Sequence, residues 1–128
     1  MINSNQKPRR FTDLKVWAKA HRLFIDLVAD TKSLKRSIAT DIITGQILRS
    51  SSSISANIAE GYNALSTKDY VRFLDISIRT VSETENWLYK LKDLEILPSR
   101  VCEDRLATCR EISKMIQALI ISLRKKIH

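Results

Sequence analysis

Residues 50–63 read SSSSISANIAEGYN, a run of serines followed by small and polar residues up to a glycine. As a flexible linker this stretch would cut the chain into two short pieces. As helix it would join them into one bundle. The phase of the apolar residues decides between the two. Ile43, Ile47, Ser51, Ile54 and Ile58 recur in steps of four, four, three and four, so the serine tract lies inside an unbroken helical period. A linker does not keep phase. A second seam, about 60° around the same helix, runs through Gln46, Ser50, Ser53, Asn57 and Glu60. Its narrow side chains let a neighbouring helix approach closely, with Asn57 and Glu60 placed to hydrogen-bond across the contact. Serine is a mediocre helix former, so packing must hold this segment helical. Gly61 is expected just past the helix end, where a left-handed residue closes many helices.

The neighbouring segments carry the same period. Upstream, KSLKRSIATD at 32–41 is a basic connection with Ser37 as the cap of helix two. Before it, Thr12 is the expected N-cap of helix one, with Trp17, Ala20, Phe24, Leu27, Val28 and Thr31 as its buried stripe. Lys15, Lys19 and Arg22 fall on the other side. Downstream, Ser66 and Asp69 form a capping-box-like start, and Leu74, Ser77, Val81, Thr84, Leu88 and Leu91 alternate steps of three and four. Helix three should run to about Glu95, with Pro98 as the stop. Ser99 then caps helix four, which buries Cys102, Leu106, Cys109, Ile112, Ile116, Leu119, Leu123 and Ile127. The fold class is therefore all-α: an antiparallel up-down-up-down four-helix bundle over residues 11–128, preceded by a mobile basic arm at 1–10.

Composition agrees with that reading. The 128 residues suit one domain, and 2 Gly with 2 Pro are too few for the turns of a sheet protein. No apolar run is long enough to span a membrane, and MINSNQKPRR lacks the apolar stretch of a secretory signal. Cys102 and Cys109 are one helical face apart by about 10 Å of rise, too far for a disulfide. Reduced thiols of this kind suit the cytoplasm.

The net charge of +8 is unevenly spread. Residues 1–36 carry +6, residues 37–99 carry −2, and residues 100–128 carry +4. Basic ends flank a slightly acidic middle, a distribution that favours polyanions such as nucleic acid.

Catalytic constellations are hard to find. Two glycines cannot form a phosphate-cradling loop. The histidines are His21 and the terminal His128, and no Glu-x-x-His pair or Cys/His cluster offers a metal site. His21 reads as a packed or surface residue. Glu60 and Glu83 read as tethers to Arg49, Arg72 or Arg79, because an unpaired buried carboxylate is costly. No enzyme, cofactor or metal is expected. The extra semi-polar faces of the middle helices, namely Gln46, Arg49, Ser50, Ser53, Asn57 and Glu60 with Arg79 and Glu83, suggest an oligomer or helix-packing interface.

Three stretches resemble a known family: FTDLKVWAKAHRL from residue 11, GQILRSSSSISANIAEGYN from residue 45, and STKDYVRFLDISIRTVSETENWL from residue 66. In order and spacing they are similar to the 23S rRNA-intervening-sequence proteins, also called four-helix-bundle proteins. Phe11, Asp13, Leu14, Trp17 and Ala20, then Gln46, Arg49, Ser53, Ile54 and Asn57–Gly61, then Phe73, Leu74, Ser82 and Glu83 are the strongest marks. The chain departs from the family in having Ser55 at a position that is commonly proline, and in lacking a proline in the first inter-helix loop. The resemblance implies a homo-oligomer, typically a pentamer. It also implies similarity to the accessory variability proteins of diversity-generating retroelements, which bind nucleic acid and a reverse transcriptase.

The functional expectation is a non-enzymatic, oligomeric, cytoplasmic protein that binds RNA or DNA through Lys7, Arg9, Arg10, Lys15, Lys19, Arg22, Arg124, Lys125 and Lys126. Phosphate contact rather than base stacking is the expected mode of binding at these charges. The alternative is a protein adaptor, for example the accessory subunit of a retroelement reverse transcriptase.

Overall fold

The computed structural model describes residues 9–126. A 3₁₀ turn at Phe11–Asp13 leads into α1 (Lys15–Thr31), α2 (Ile38–Tyr62), α3 (Thr67–Asp93) and α4 (Ser99–Arg124). Short connections make the helices antiparallel, and each packs against its two neighbours around a central core. The serine tract is helix throughout, in the middle of α2.

Why α2 holds together is visible where it meets α3, the most extensive of the helix contacts. Ser50 and Ser51 are buried, and the Ser50 hydroxyl lies 2.8 Å from that of Thr84 on α3. The Ser77 hydroxyl donates to the Ile54 carbonyl at 3.1 Å. Small hydroxyl side chains let the two backbones approach, and the hydroxyls of Ser50, Ser77 and Thr84 each find a partner, a bond worth about 1 kcal/mol net. Ile43, Ile47, Ile54 and Ile58 fill the core beside this seam, as the period predicts.

Gly61 corrects the sequence reading. It does not end α2, which continues to Tyr62 with Asn63 as C-cap. A Cβ on Gly61 would lie 2.9 Å from the Phe73 Cβ and 3.2 Å from the Tyr70 carbonyl oxygen, so the glycine is a point of close helix contact. The left-handed residue is instead Glu95, at φ 57°, after α3. There Ile96 N–H donates to the Leu91 carbonyl at 2.9 Å and Glu95 N–H to that of Lys92 at 3.0 Å, the paired bonds of a Schellman closure. α3 thus stops before Pro98, and Ser99 is the first residue of α4 rather than its cap, which is Pro98.

The buried stripe of α1 keeps Ala20, Leu27 and Thr31 as predicted but turns toward Val16 and Leu23. Val16, Ala20, Leu23, Leu27 and Thr31 are buried, whereas Trp17 and Phe24 are half-buried and Val28 is exposed. The helix starts at Lys15 rather than after Thr12, because Asp13 is engaged elsewhere. Its carboxylate accepts the backbone N–H groups of Arg9 and Arg10, both at 3.2 Å, and closes the 3₁₀ turn. Ser66 and α3 follow expectation: the Ser66 hydroxyl accepts the Asp69 N–H, and all six predicted positions from Leu74 to Leu91 are buried. In α4, Leu119 is half-buried and Ile120 buried, and Ile127 lies outside the described residues.

Candidate nucleic-acid interface

The antiparallel topology brings the start of α1, the α2–α3 turn and the end of α4 to one end of the bundle. The two basic ends of the chain, far apart in sequence, therefore meet. Arg9, Arg10, Lys15, Lys68, Arg124, Lys125 and Lys126 are all exposed there. None of these seven is within ion-pair distance of a carboxylate among the described residues. Asp13 contributes its carboxylate to the two backbone N–H groups, and Asp69 lies 3.6 Å from Arg72, whose guanidinium sits over the Phe73 ring at 4.7 Å. The α4 macrodipole also favours cations at this end, its C-terminus. Lys7 lies outside the described residues.

At the opposite end the charges cancel. Arg36 pairs with Asp41 at 3.1 Å and Lys92 with Glu103 at 2.6 Å, which raises both basic pKa values chiefly through those hydrogen bonds and lowers that of Glu103. Asp93, Glu95 and Asp104 are matched in number there by Lys32, Lys35 and Arg100, which are exposed and form no ion pair among the described residues. The molecule is thus electrostatically polar along the bundle axis.

Of the predicted face on α1, Lys15 alone is unpaired. Lys19 meets Glu111 of α4 at 2.6 Å, and Arg22 meets Asp26 at 3.1 Å. Asp26 and Asp30 also receive Arg105 of α4, which grips Asp30 through two bonds of 2.6 and 2.9 Å. Lys19, Arg22 and Arg105 belong to the charged seam joining α1 to α4. The more exposed pairs of Lys19 and Arg22 are worth little to stability, but the carboxylates of the seam offset the positive potential that a phosphate would meet.

The predicted oligomer or helix-packing set divides likewise. Ser50 is buried within the chain against Thr84, so its small size serves the α2–α3 contact. Gln46, Ser53 and Asn57 are half-buried beside it, and Arg49, Glu60, Arg79 and Glu83 are exposed. Asn57 does not reach across a helix interface: its side-chain amide donates to the Ser53 carbonyl of its own helix at 2.9 Å. Ser53 in turn donates to the Arg49 carbonyl at 3.0 Å. Arg79 pairs with Asp75 at 2.7 Å, not with Glu60 or Glu83, and neither glutamate forms an ion pair among the described residues.

The profile of the 23S rRNA-intervening sequence protein family matches residues 12–118. The chain belongs to this family. A crystal structure of a family relative, a protein of unknown function from the S23 ribosomal protein family of Bacteroides thetaiotaomicron, superimposes with a TM-score of 0.76. It is 31% identical, and the alignment covers 82% of this chain and 94% of the relative. No curated protein matches the sequence.

Around Phe11–Leu14, the structure assembles something that linear reading missed. Trp17 receives the edge of Phe11 at 5.3 Å and the flat face of His21 at 4.7 Å, with imidazole and indole only 10° from parallel. Trp17 and His21 are one helical turn apart, which is the signal that was available. A further pair, Tyr62 and Tyr70, meets edge-on at 6.2 Å beneath the α2–α3 turn, where burial, reinforced by Tyr62, pushes the Tyr70 phenol up to about 12. Aromatic rings therefore do accompany the basic end of the bundle.

Elsewhere the titratable groups are quiet chemically. Cys102 and Cys109 are free and buried, and burial raises both thiols, Cys109 to about 12. No group of three His, Cys, Asp or Glu side chains among the described residues is placed to hold a metal ion. No helix among them is long and apolar enough to cross a membrane.

Proposed function

We propose that this family member is a non-catalytic, homo-oligomeric nucleic-acid-binding protein of the cytoplasm that grips RNA by its phosphates. The observation that carries the reading is the gathering of unpaired cations from both chain ends at one end of the bundle, opposite a charge-balanced end. A cluster of this kind concentrates phosphate without reading sequence, and several copies in one assembly multiply the contacts. A pentamer is the assembly that the family resemblance implies. The match to a family described by an rRNA insertion supports RNA over DNA as the polyanion.

A second reading is a protein adaptor, such as a reverse-transcriptase partner. It is favoured by the outer face of α2, where Ile38 is 82% and Ile42 57% exposed. Titration of the protein with single-stranded RNA at rising salt separates the two. Engagement of all seven cations of one chain predicts a slope of log K against log salt of about −5, at about −0.7 per phosphate. An adaptor that does not bind RNA gives no titration even at low salt. Light scattering that finds a monomer at micromolar concentration removes the oligomer.

A further inference from the structure

We propose that His21, braced on Trp17, is a stacking platform for an unpaired base, so that the preferred ligand is single-stranded nucleic acid rather than duplex; this rests on the phosphate-binding reading above. The platform is assembled from the first residue of the 3₁₀ turn outward. Phe11 buttresses the indole edge-on, the half-buried Trp17 is fixed between Phe11 and the bundle, and the imidazole lies flat on the indole. His21 is an exposed residue, and one face of its imidazole rests on Trp17. Its ring makes no hydrogen bond or ion pair within the described chain, so the outward face is not committed to another group.

A planar, outward-facing aromatic surface suits a planar ligand, and histidine is among the side chains on which unstacked bases rest. What makes a base the fitting partner is the surrounding charge. Lys15 precedes His21 on α1 by about 9 Å of helical rise, and Arg9 and Arg10 adjoin Phe11 in sequence; all three are unpaired. A strand whose phosphates follow these cations can lay one base on the ring. In a duplex the bases are already stacked and paired, and withdrawing one has a cost that a single strand avoids. The stack adds affinity without sequence choice, because every base has a π-face.

The test compares His21→Leu with His21→Phe. Leucine removes the flat ring but still covers Trp17, so the indole is not bared as a substitute platform; phenylalanine keeps a planar face. Both are made in a Trp87→Phe background, so that Trp17 is the remaining tryptophan and reports contact by fluorescence. The ligands are oligouridylate, a duplex with the same number of phosphates, and inorganic polyphosphate, which has charge but no base. Oligouridylate should quench Trp17 and bind more tightly than the duplex. His21→Leu should weaken oligouridylate binding by about 5- to 150-fold, the range for loss of one stacked base, with His21→Phe close to the parent and polyphosphate affinity the same in all three. If polyphosphate and oligouridylate both bind His21→Leu as they bind the parent, the platform is refuted while the phosphate reading stands. If the parent binds neither at low salt, the phosphate reading fails and the platform with it.

Discussion

The two glycines should respond to alanine with opposite signs, although both lie inside α2. At Gly61 an added Cβ meets the Phe73 Cβ at 2.9 Å, the Tyr70 ring at 3.0 Å and the Tyr70 carbonyl oxygen at 3.2 Å. Two of these neighbours are a Cβ and a backbone atom, which cannot swing aside, so α3 itself has to move. Overpacking of this kind costs about 1–3 kcal/mol, and the rigid neighbours put it toward the upper part of that range. Alanine's helix propensity returns about 1 kcal/mol, leaving Gly61→Ala less stable by about 1–2 kcal/mol. At Gly45 nothing lies within 4 Å of the added atom, so the propensity term acts alone and Gly45→Ala should gain about 0.8–1 kcal/mol. Urea denaturation followed by far-ultraviolet circular dichroism measures both against the wild type. A Gly61→Ala protein as stable as Gly45→Ala would refute the close-approach account of the α2–α3 contact.

Other positions give independent checks. Glu95→Gly should raise stability by about 1 kcal/mol in the same assay, since glycine adopts the left-handed conformation without the Cβ penalty. With the Cys109 thiol held near 12 by burial, and secondarily by the Glu85 charge, Ellman's reagent should leave it unmodified at neutral pH until denaturant is added. Burial also raises the Glu85 carboxyl, against a smaller lowering by Arg110. Because the folded chain holds that proton more tightly than the unfolded one, the contribution is favourable below the ordinary carboxylate range and is lost as pH rises through the folded value. Glu85→Gln should therefore be at least as stable as wild type at neutral pH, with less decline in stability across the acidic-to-neutral range.

How far the sequence could be read differs by element for physical reasons. α3 was legible position by position because one face repeats in threes and fours while polar residues fill the others. In α1 the period places Ala20, Leu27 and Thr31 correctly, but the large side chains of Trp17 and Phe24 flank the core while Val16 and Leu23 enter it. Gly61 looked like a terminator because glycine commonly supplies left-handed caps. Here it supplies proximity instead, and a glutamate takes the strained position. Of the small-residue seam, Ser50 packs closely on the chain's own α3, whereas Asn57 bonds within its own helix and Glu60 is exposed. Charge along the sequence pointed to basic ends, and only the pairing of side chains in space separates the free cations at the bundle end from Lys19 and Arg22. The Phe11–Trp17–His21 stack joins a turn to a helix, a contact that helical periodicity does not describe.

The central claim, that the basic end of the bundle holds the phosphates, is tested most directly by removing its charge and comparing the loss with that from the paired face. Arg124, Lys125 and Lys126 replaced together by alanine should weaken binding to single-stranded RNA and flatten the salt slope by about 2, at about 0.7 per lost phosphate contact. Replacing Lys19 and Arg22, which already face Glu111 and Asp26, should change the slope far less. Helicity by circular dichroism should be unchanged in both. A triple variant that keeps wild-type affinity and slope, or a Lys19/Arg22 variant that loses more than the triple one, would contradict the account.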